Sequence, residues 1–100
     1  MAVYVDKPFN TEAFKSAKWR YNQACHMWAD SVEELLEMAR RIGLKAGWMQ
    51  RRNRWPEHHF DITVRKRRAA LAAGAVEASL REHYMKRRAA DTESAAREGE

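Results

Sequence analysis

The segment from Asp30 to Gly43 constrains the fold of this chain more than any other stretch. Asp30-Ser31 precedes Val32-Glu33-Glu34, so either Asp30 with Glu33 or Ser31 with Glu34 supplies a capping box, which satisfies the free N–H groups of a helix start. The run VEELLEMARRI then sets Val32, Leu35, Leu36, Ala39 and Ile42 on one stripe at helical spacing. Acidic residues fill the first turns and Arg40 and Arg41 the last, as the helix dipole prefers, and Gly43 offers the left-handed stop. Immediately upstream, Gln23–Ala29 is an apolar run of strand length, with Ala24, His26 and Trp28 on one face and Cys25, Met27 and Ala29 on the other. A strand that feeds directly into a well-delimited helix commits the chain to layered packing of helix on sheet.

The remaining segments extend that pattern. Ala2–Asp6 alternates and reads as a first strand, broken by Lys7-Pro8. Residues 7–22 are polar, with one helical turn near Thr11–Lys18, and they end in Trp19, Arg20 and Tyr21. Such a segment either closes over a site or is an ordinary surface connection. Trp48-Met49-Gln50 reads as a strand, as does His59–Ile62, and Thr63 is the N-cap of an alanine-rich helix over Val64–Ala73 that Gly74 stops. Ala75–Ala78 suits a short strand, and Ser79 with Glu82 caps a third helix, LREHYMKRRA. Residues 91–100 read as a frayed polar tail. The expectation is one α/β domain over residues 1–90, with a three- or four-stranded partly parallel sheet, about three helices and right-handed crossovers. In such sheets ligands bind beyond the carboxyl ends of the strands, which would gather Asp6, Asp30, His59 and Asp61 along one edge.

Composition excludes several classes. No apolar run approaches the roughly 20 residues needed to span a bilayer. MAVYVD lacks the basic and apolar regions of a signal peptide, so the expected location is the cytoplasm. Cys25 is alone, which rules out an internal disulfide and a cysteine-based zinc site, and its apolar setting makes it a buried, inert thiol. The net charge of +5 is concentrated: residues 45–68 carry eight Arg or Lys against two acidic groups. Such a run is either a solvated basic face or an attractor of phosphates and acidic partners.

The chain resembles a bacterial and phage family known as domain of unknown function 4031. The resemblance rests on MAVYVD at 1–6, CHMWADSVEELLEMARRIGL at 25–44, WMQ at 48–50, HFDIT at 59–63 and KRRAALAAGAVEAS at 66–79, followed by Arg81-Glu82. It implies a compact intracellular domain, often phage-encoded, with no assigned activity. The family's pattern maps onto His26, Asp30, Trp48, Gln50, His59, Asp61 and Lys66-Arg67, with Phe60 in place of a tyrosine and His58 in place of a proline.

Three chemistries suit these residues. The first is a pocket for a nucleotide or another phosphate-containing small molecule, built from Asp6, His26, Asp30, Trp48, Gln50, His59, Asp61, Lys66 and Arg67. Lys66 and Arg67 fall in the first turn after Thr63, where a cation opposes the helix dipole, and a bound anion would compensate. The second is a metal-dependent phosphoesterase or nuclease, with His26, Asp30, His59 and Asp61 around a divalent metal such as zinc, manganese or iron. The third is an accessory nucleic-acid binder, in which Arg51, Arg52, Arg54 and Trp55 interleave cation and aromatic, and Lys86, Arg87 and Arg88 extend the positive stripe.

Overall fold

Helix α1 (Val32–Ile42) forms because both of its ends are chemically specified. Of the two candidate caps, Ser31 is the one in place. Its hydroxyl accepts the Glu34 N–H at 3.2 Å and donates to the Glu34 carboxylate at 3.0 Å. At the other end Gly43 takes φ 81°, and the Leu44 N–H returns to the Ala39 carbonyl at 2.8 Å. The buried stripe is Leu35, Met38, Ala39 and Ile42, while Val32 and Leu36 lie half-buried at its margin.

The computed structural model describes residues 2–14, 19–53 and 55–98. Within them the strands are β1 (Val3–Val5), β2 (Phe9–Asn10), β3 (Gln23–Ala29), β4 (Gln50–Arg51), β5 (His58–Ile62) and β6 (Val76–Glu77). Helices α2 (Val64–Ala72) and α3 (Leu80–Glu98) complete the order. The sheet runs β4-β5-β3-β1-β6, and β2 also pairs with β3. Only β1 and β6 are parallel; β3 is antiparallel to β1, β2 and β5, and β4 is antiparallel to β5. The domain is thus α/β with three helices and a mixed, partly parallel sheet.

Three local expectations change. The segment before Gln50 forms a 3-10 turn over Ala46–Trp48, so the strand begins two residues later than WMQ suggests. The two-residue strand β2 falls in the segment read as a loop, and the sheet has six strands among the described residues. The tail read as frayed continues α3 through Glu98. Direction matters most for function, because antiparallel neighbours put Asp6 and Asp30 at opposite ends of the sheet. The Asp6 N–H pairs with the His26 carbonyl, whereas the Asp30 N–H pairs with the Ala2 carbonyl. The single polar edge expected of a parallel sheet is therefore replaced by a polar face.

The period of two along β3 separates the two faces. Cys25 and Met27 join Val3, Val5, Phe60 and Ile62 under α1 and α2, in a core completed by Leu35, Met38, Ala39, Ile42, Ala70 and Ala75. Each large side chain there contributes about 1.5–3 kcal/mol by leaving water. Cys25 is fully buried, and that burial pushes its thiol up to about 11, which keeps it inert. The opposite face carries Tyr4 stacked on Trp28 at 5.8 Å, with His83 of α3 edge-on to Tyr4 at 4.5 Å. The buried Trp28 indole donates to His83 Nδ1 at 3.1 Å.

Candidate functional site

The site begins where the first strand breaks. Lys7-Pro8 interrupts pairing after Val5, and β2 resumes it with Phe9 opposite Ala24. In the gap, the Asp6 side chain replaces a ladder partner: its Oδ1 accepts the His26 backbone N–H at 2.6 Å. Its Oδ2 lies 2.7 Å from His26 Nδ1. A carboxylate only accepts, so Nδ1 carries the hydrogen and Nε2 is the nitrogen left for other partners. Phe9 stacks on the imidazole at 4.7 Å and 21°. Backbone, carboxylate and aromatic ring together hold His26 in one orientation.

Strand β5 supplies the facing groups. His26 is the direct cross-strand partner of Asp61, and Gln50 of β4 is the partner of His59. Asp61 Oδ1 lies 3.9 Å from His26 Nε2 and 3.7 Å from His59 Nε2, both beyond direct hydrogen-bond length. Asp61 Oδ2 accepts the Gln50 amide N–H at 2.6 Å. His59 is only 6% exposed, and among the described residues its Nδ1 has no partner. Burial lowers its pKa against the opposing pull of Asp61, with Arg52 and His26 adding to the depression, so the neutral ring is favoured. These groups border a cleft of about 390 Å³ lined by Phe9, Thr11, Trp19, Ala24, His26, Gln50 and Asp61.

Asp6, His26, Gln50, His59 and Asp61 are therefore brought together; four other candidates are engaged elsewhere. Asp30 accepts the Ala2 N–H at 2.8 Å and the Tyr4 hydroxyl at 2.9 Å, tying the two chain segments at the far end of β3. Trp48 is 55% exposed, with the Lys45 ammonium 5.5 Å from its ring centroid. Lys66 donates to the Ile42 carbonyl at 2.6 Å, capping the negative end of α1, and Arg67 donates to the Asp6 carbonyl at 2.8 Å and to Glu77 at 2.5 Å. In the basic segment Arg51 is exposed, the Arg52 guanidinium donates to the Pro56 carbonyl at 3.1 Å, and Arg54 lies outside the described residues. Trp55 packs edge-on against Trp28 and His83, with the Arg87 guanidinium 5.9 Å from its ring, so it serves the aromatic face. Lys86 and Arg88 are exposed on α3.

Phe9 and Thr11 are the lining residues that the sequence did not single out. Phe9 had one signal, an aromatic placed directly after the strand-breaking Pro8, where it returns to pair with Ala24. Trp19 belongs to the segment expected either to close over a site or to connect, and it lines the cleft. A larger hollow of about 630 Å³ opens at the start of α3, between Asp6, Lys7 and residues 77–82. Among the described residues its lining has no aromatic ring and no imidazole, whereas the smaller cleft has both. Among the described residues no three His, Cys, Asp or Glu side chains are placed to hold a metal ion.

Chemically, a carboxylate that fixes the Nδ1 hydrogen of an imidazole presents Nε2 as a hydrogen-bond acceptor or general base. Among the described residues no cysteine or serine lines the cleft, and the Thr11 hydroxyl donates to the Tyr21 carbonyl at 2.6 Å. The fold and site together define a small α/β protein with two helices on one face of a mixed sheet and an aromatic-walled polar cleft on the other. The profile of the family described as "Protein of unknown function (DUF4031)" matches residues 3–90, and the chain belongs to that family. No curated protein and no solved structure matches it. Among the described residues no helix is long and apolar enough to cross a membrane.

Proposed function

We propose that this domain binds a small polar molecule, or a single polar side chain, in the Phe9–Trp19–His26–Asp61 cleft, with His26 Nε2 as its central recognition atom. One observation carries the reading. Asp6 fixes both the backbone and the ring of His26, yet the ring stays 25% exposed at a cleft and its Nε2 has no hydrogen-bond-length partner among the described residues. A histidine held only for packing has its second nitrogen closed off or paired. The cleft volume lies near the lower end of the about 300–1,000 Å³ typical of ligand sites.

The phosphate-binding form of this reading has less support, since Lys66 and Arg67 direct their charge to the Ile42 and Asp6 carbonyls and to Glu77. A metal-dependent phosphoesterase would need Asp30, which is occupied at the other end of β3. A nucleic-acid interface would rest on Arg51 and the basic side chains of α3, without Trp55 as a stacking platform.

Thermal unfolding of the purified chain against a metabolite library tests the proposal. A ligand at 100 Kd adds about 2.7 kcal/mol to stability. Compounds that stabilise the wild type and lose the effect in His26→Phe support it. Compounds that stabilise both equally place the binding outside this cleft and refute it.

A further inference from the structure

We infer that the cleft takes a planar cation of the guanidinium or amidinium type; this rests on the binding reading above and narrows it to a ligand class. The warrant is the inventory of donors and acceptors that the lining side chains have left. Asp61 is a carboxylate, and among the described residues no lysine or arginine lies within ion-pair distance of it. One Gln50 N–H is committed to Asp61, which leaves the carbonyl oxygen and the second N–H. His26 has its hydrogen on Nδ1 against Asp6, which leaves the Nε2 lone pair. Thr11 gives its hydroxyl hydrogen to the Tyr21 carbonyl, which leaves the oxygen lone pairs. Trp19 carries a donor, but its Nε1 is closed off from solvent. Among the described residues, the polar side-chain groups that the lining turns to the cleft are therefore acceptors apart from the second Gln50 N–H, and one of them is a carboxylate.

A phosphate or carboxylate ligand would meet the Asp61 carboxylate and the lone pairs left on His26 and Thr11. A planar group with several N–H donors and a positive charge satisfies them, and Asp61 Oδ1, which has no partner of hydrogen-bond length among the described residues, can accept a charge-assisted hydrogen bond from it. Phe9 and Trp19 supply aromatic walls for such a cation. In a chain of net charge +5 this is a local reversal of sign, so bulk electrostatics does not create it. The guanidinium could belong to a free small molecule or to an arginine side chain, and the chemistry at the cleft is the same for both.

The test is a titration of the full chain, isotope-labelled, with methylguanidinium, its neutral isostere methylurea, N-acetyl-arginine amide and inorganic phosphate. The readouts are the Trp19 indole and Gln50 side-chain amide resonances. The expected result is saturable binding of methylguanidinium about tenfold or more tighter than methylurea, in line with a charge-assisted hydrogen bond. Asp61→Asn, which keeps an acceptor for Gln50 and the side-chain volume, should abolish that preference. Tighter binding of the arginine amide than of methylguanidinium assigns the cleft to a peptide-borne side chain; the reverse assigns it to a small molecule. If phosphate moves the cleft resonances and methylguanidinium does not, the cation inference is overturned while the binding reading stands. If no probe moves them, both are overturned.

Discussion

The two faces of the sheet are built from alternate residues of the same strands, and they solve opposite problems. On the helix-covered face, Cys25, Met27, Phe60 and Ile62 are sealed under α1 and α2 with no polar side chain among them. On the other face, their immediate neighbours Ala24, His26, Asp61 and His59 combine aromatic contact with hydrogen bonds and partly exposed titratable groups. The contrast sets a sealed apolar face against one that carries titratable groups. A one-residue step along β3 or β5 crosses from one environment to the other.

This division can be broken or sharpened by experiment. The largest effect belongs to the sealed face: Phe60→Ala should lower unfolding free energy by about 3–5 kcal/mol in denaturant titration, with ligand binding at the cleft unchanged once folded. If the faces were not separable, cleft resonances would shift as well. Asp6→Ala comes next and should couple the faces. It removes two hydrogen bonds, one to backbone and one to the imidazole, for about 2–3 kcal/mol, and nitrogen chemical shifts of His26 should show the Nδ1 tautomer lost. Lys66→Met should cost about 1 kcal/mol by freeing the α1 terminus, while leaving the cleft untouched.

His59 gives a smaller effect that is visible only on acidification. Burial holds its folded-state pKa below the ordinary 6.5, so as pH falls past 6.5 the unfolded chain takes up the proton first. Its contribution is complete above pH 6.5 and declines as pH falls further. Melting temperatures from pH 7.5 downward should therefore fall less steeply in His59→Gln than in the wild type. The smallest effect is expected at Glu37, whose carboxyl sits at about 2 through hydrogen bonds to Arg40 and Arg41. Both partners lie on an exposed helix surface, where such pairs exchange one solvated state for another, and Glu37→Gln should leave the melting midpoint unmoved.

Local chemistry was legible in the sequence because it is decided within a few residues. The Ser31–Glu34 cap, the Gly43 stop, the Thr63 cap and the bounds of β3 all follow from side chains adjacent to the backbone they serve. A partly parallel sheet was legible from the alternation of strands and helices, but which strands run parallel was not, because that depends on which neighbour each strand meets. The convergence of His26 with Asp61 and of Gln50 with His59 was foreseen as a grouping, whereas the inclusion of Asp30 assumed a shared sheet edge. Lys66 is the most instructive case. A cation in the first turn of α2 opposes that helix's dipole, and the sequence suggested an anionic ligand as compensation. The compensation is instead the carbonyl end of α1, which the ammonium approaches so closely that a side chain at position 43 would come within 3.1 Å of it. A rule broken in one helix was satisfied in another, and only three-dimensional placement reveals which.

The break at Asp6 has an evolutionary consequence. The carboxylate that stands in for a strand hydrogen bond is also the group that sets the tautomer of His26. Selection for the fold therefore also bears on the imidazole, since losing this carboxylate removes a backbone hydrogen bond together with the partner of the ring. In the binding reading proposed above, folding and recognition would share this one residue, and a lineage could change its ligand by varying Gln50, Thr11 or Phe9 while Asp6 and His26 stay fixed as a common chassis.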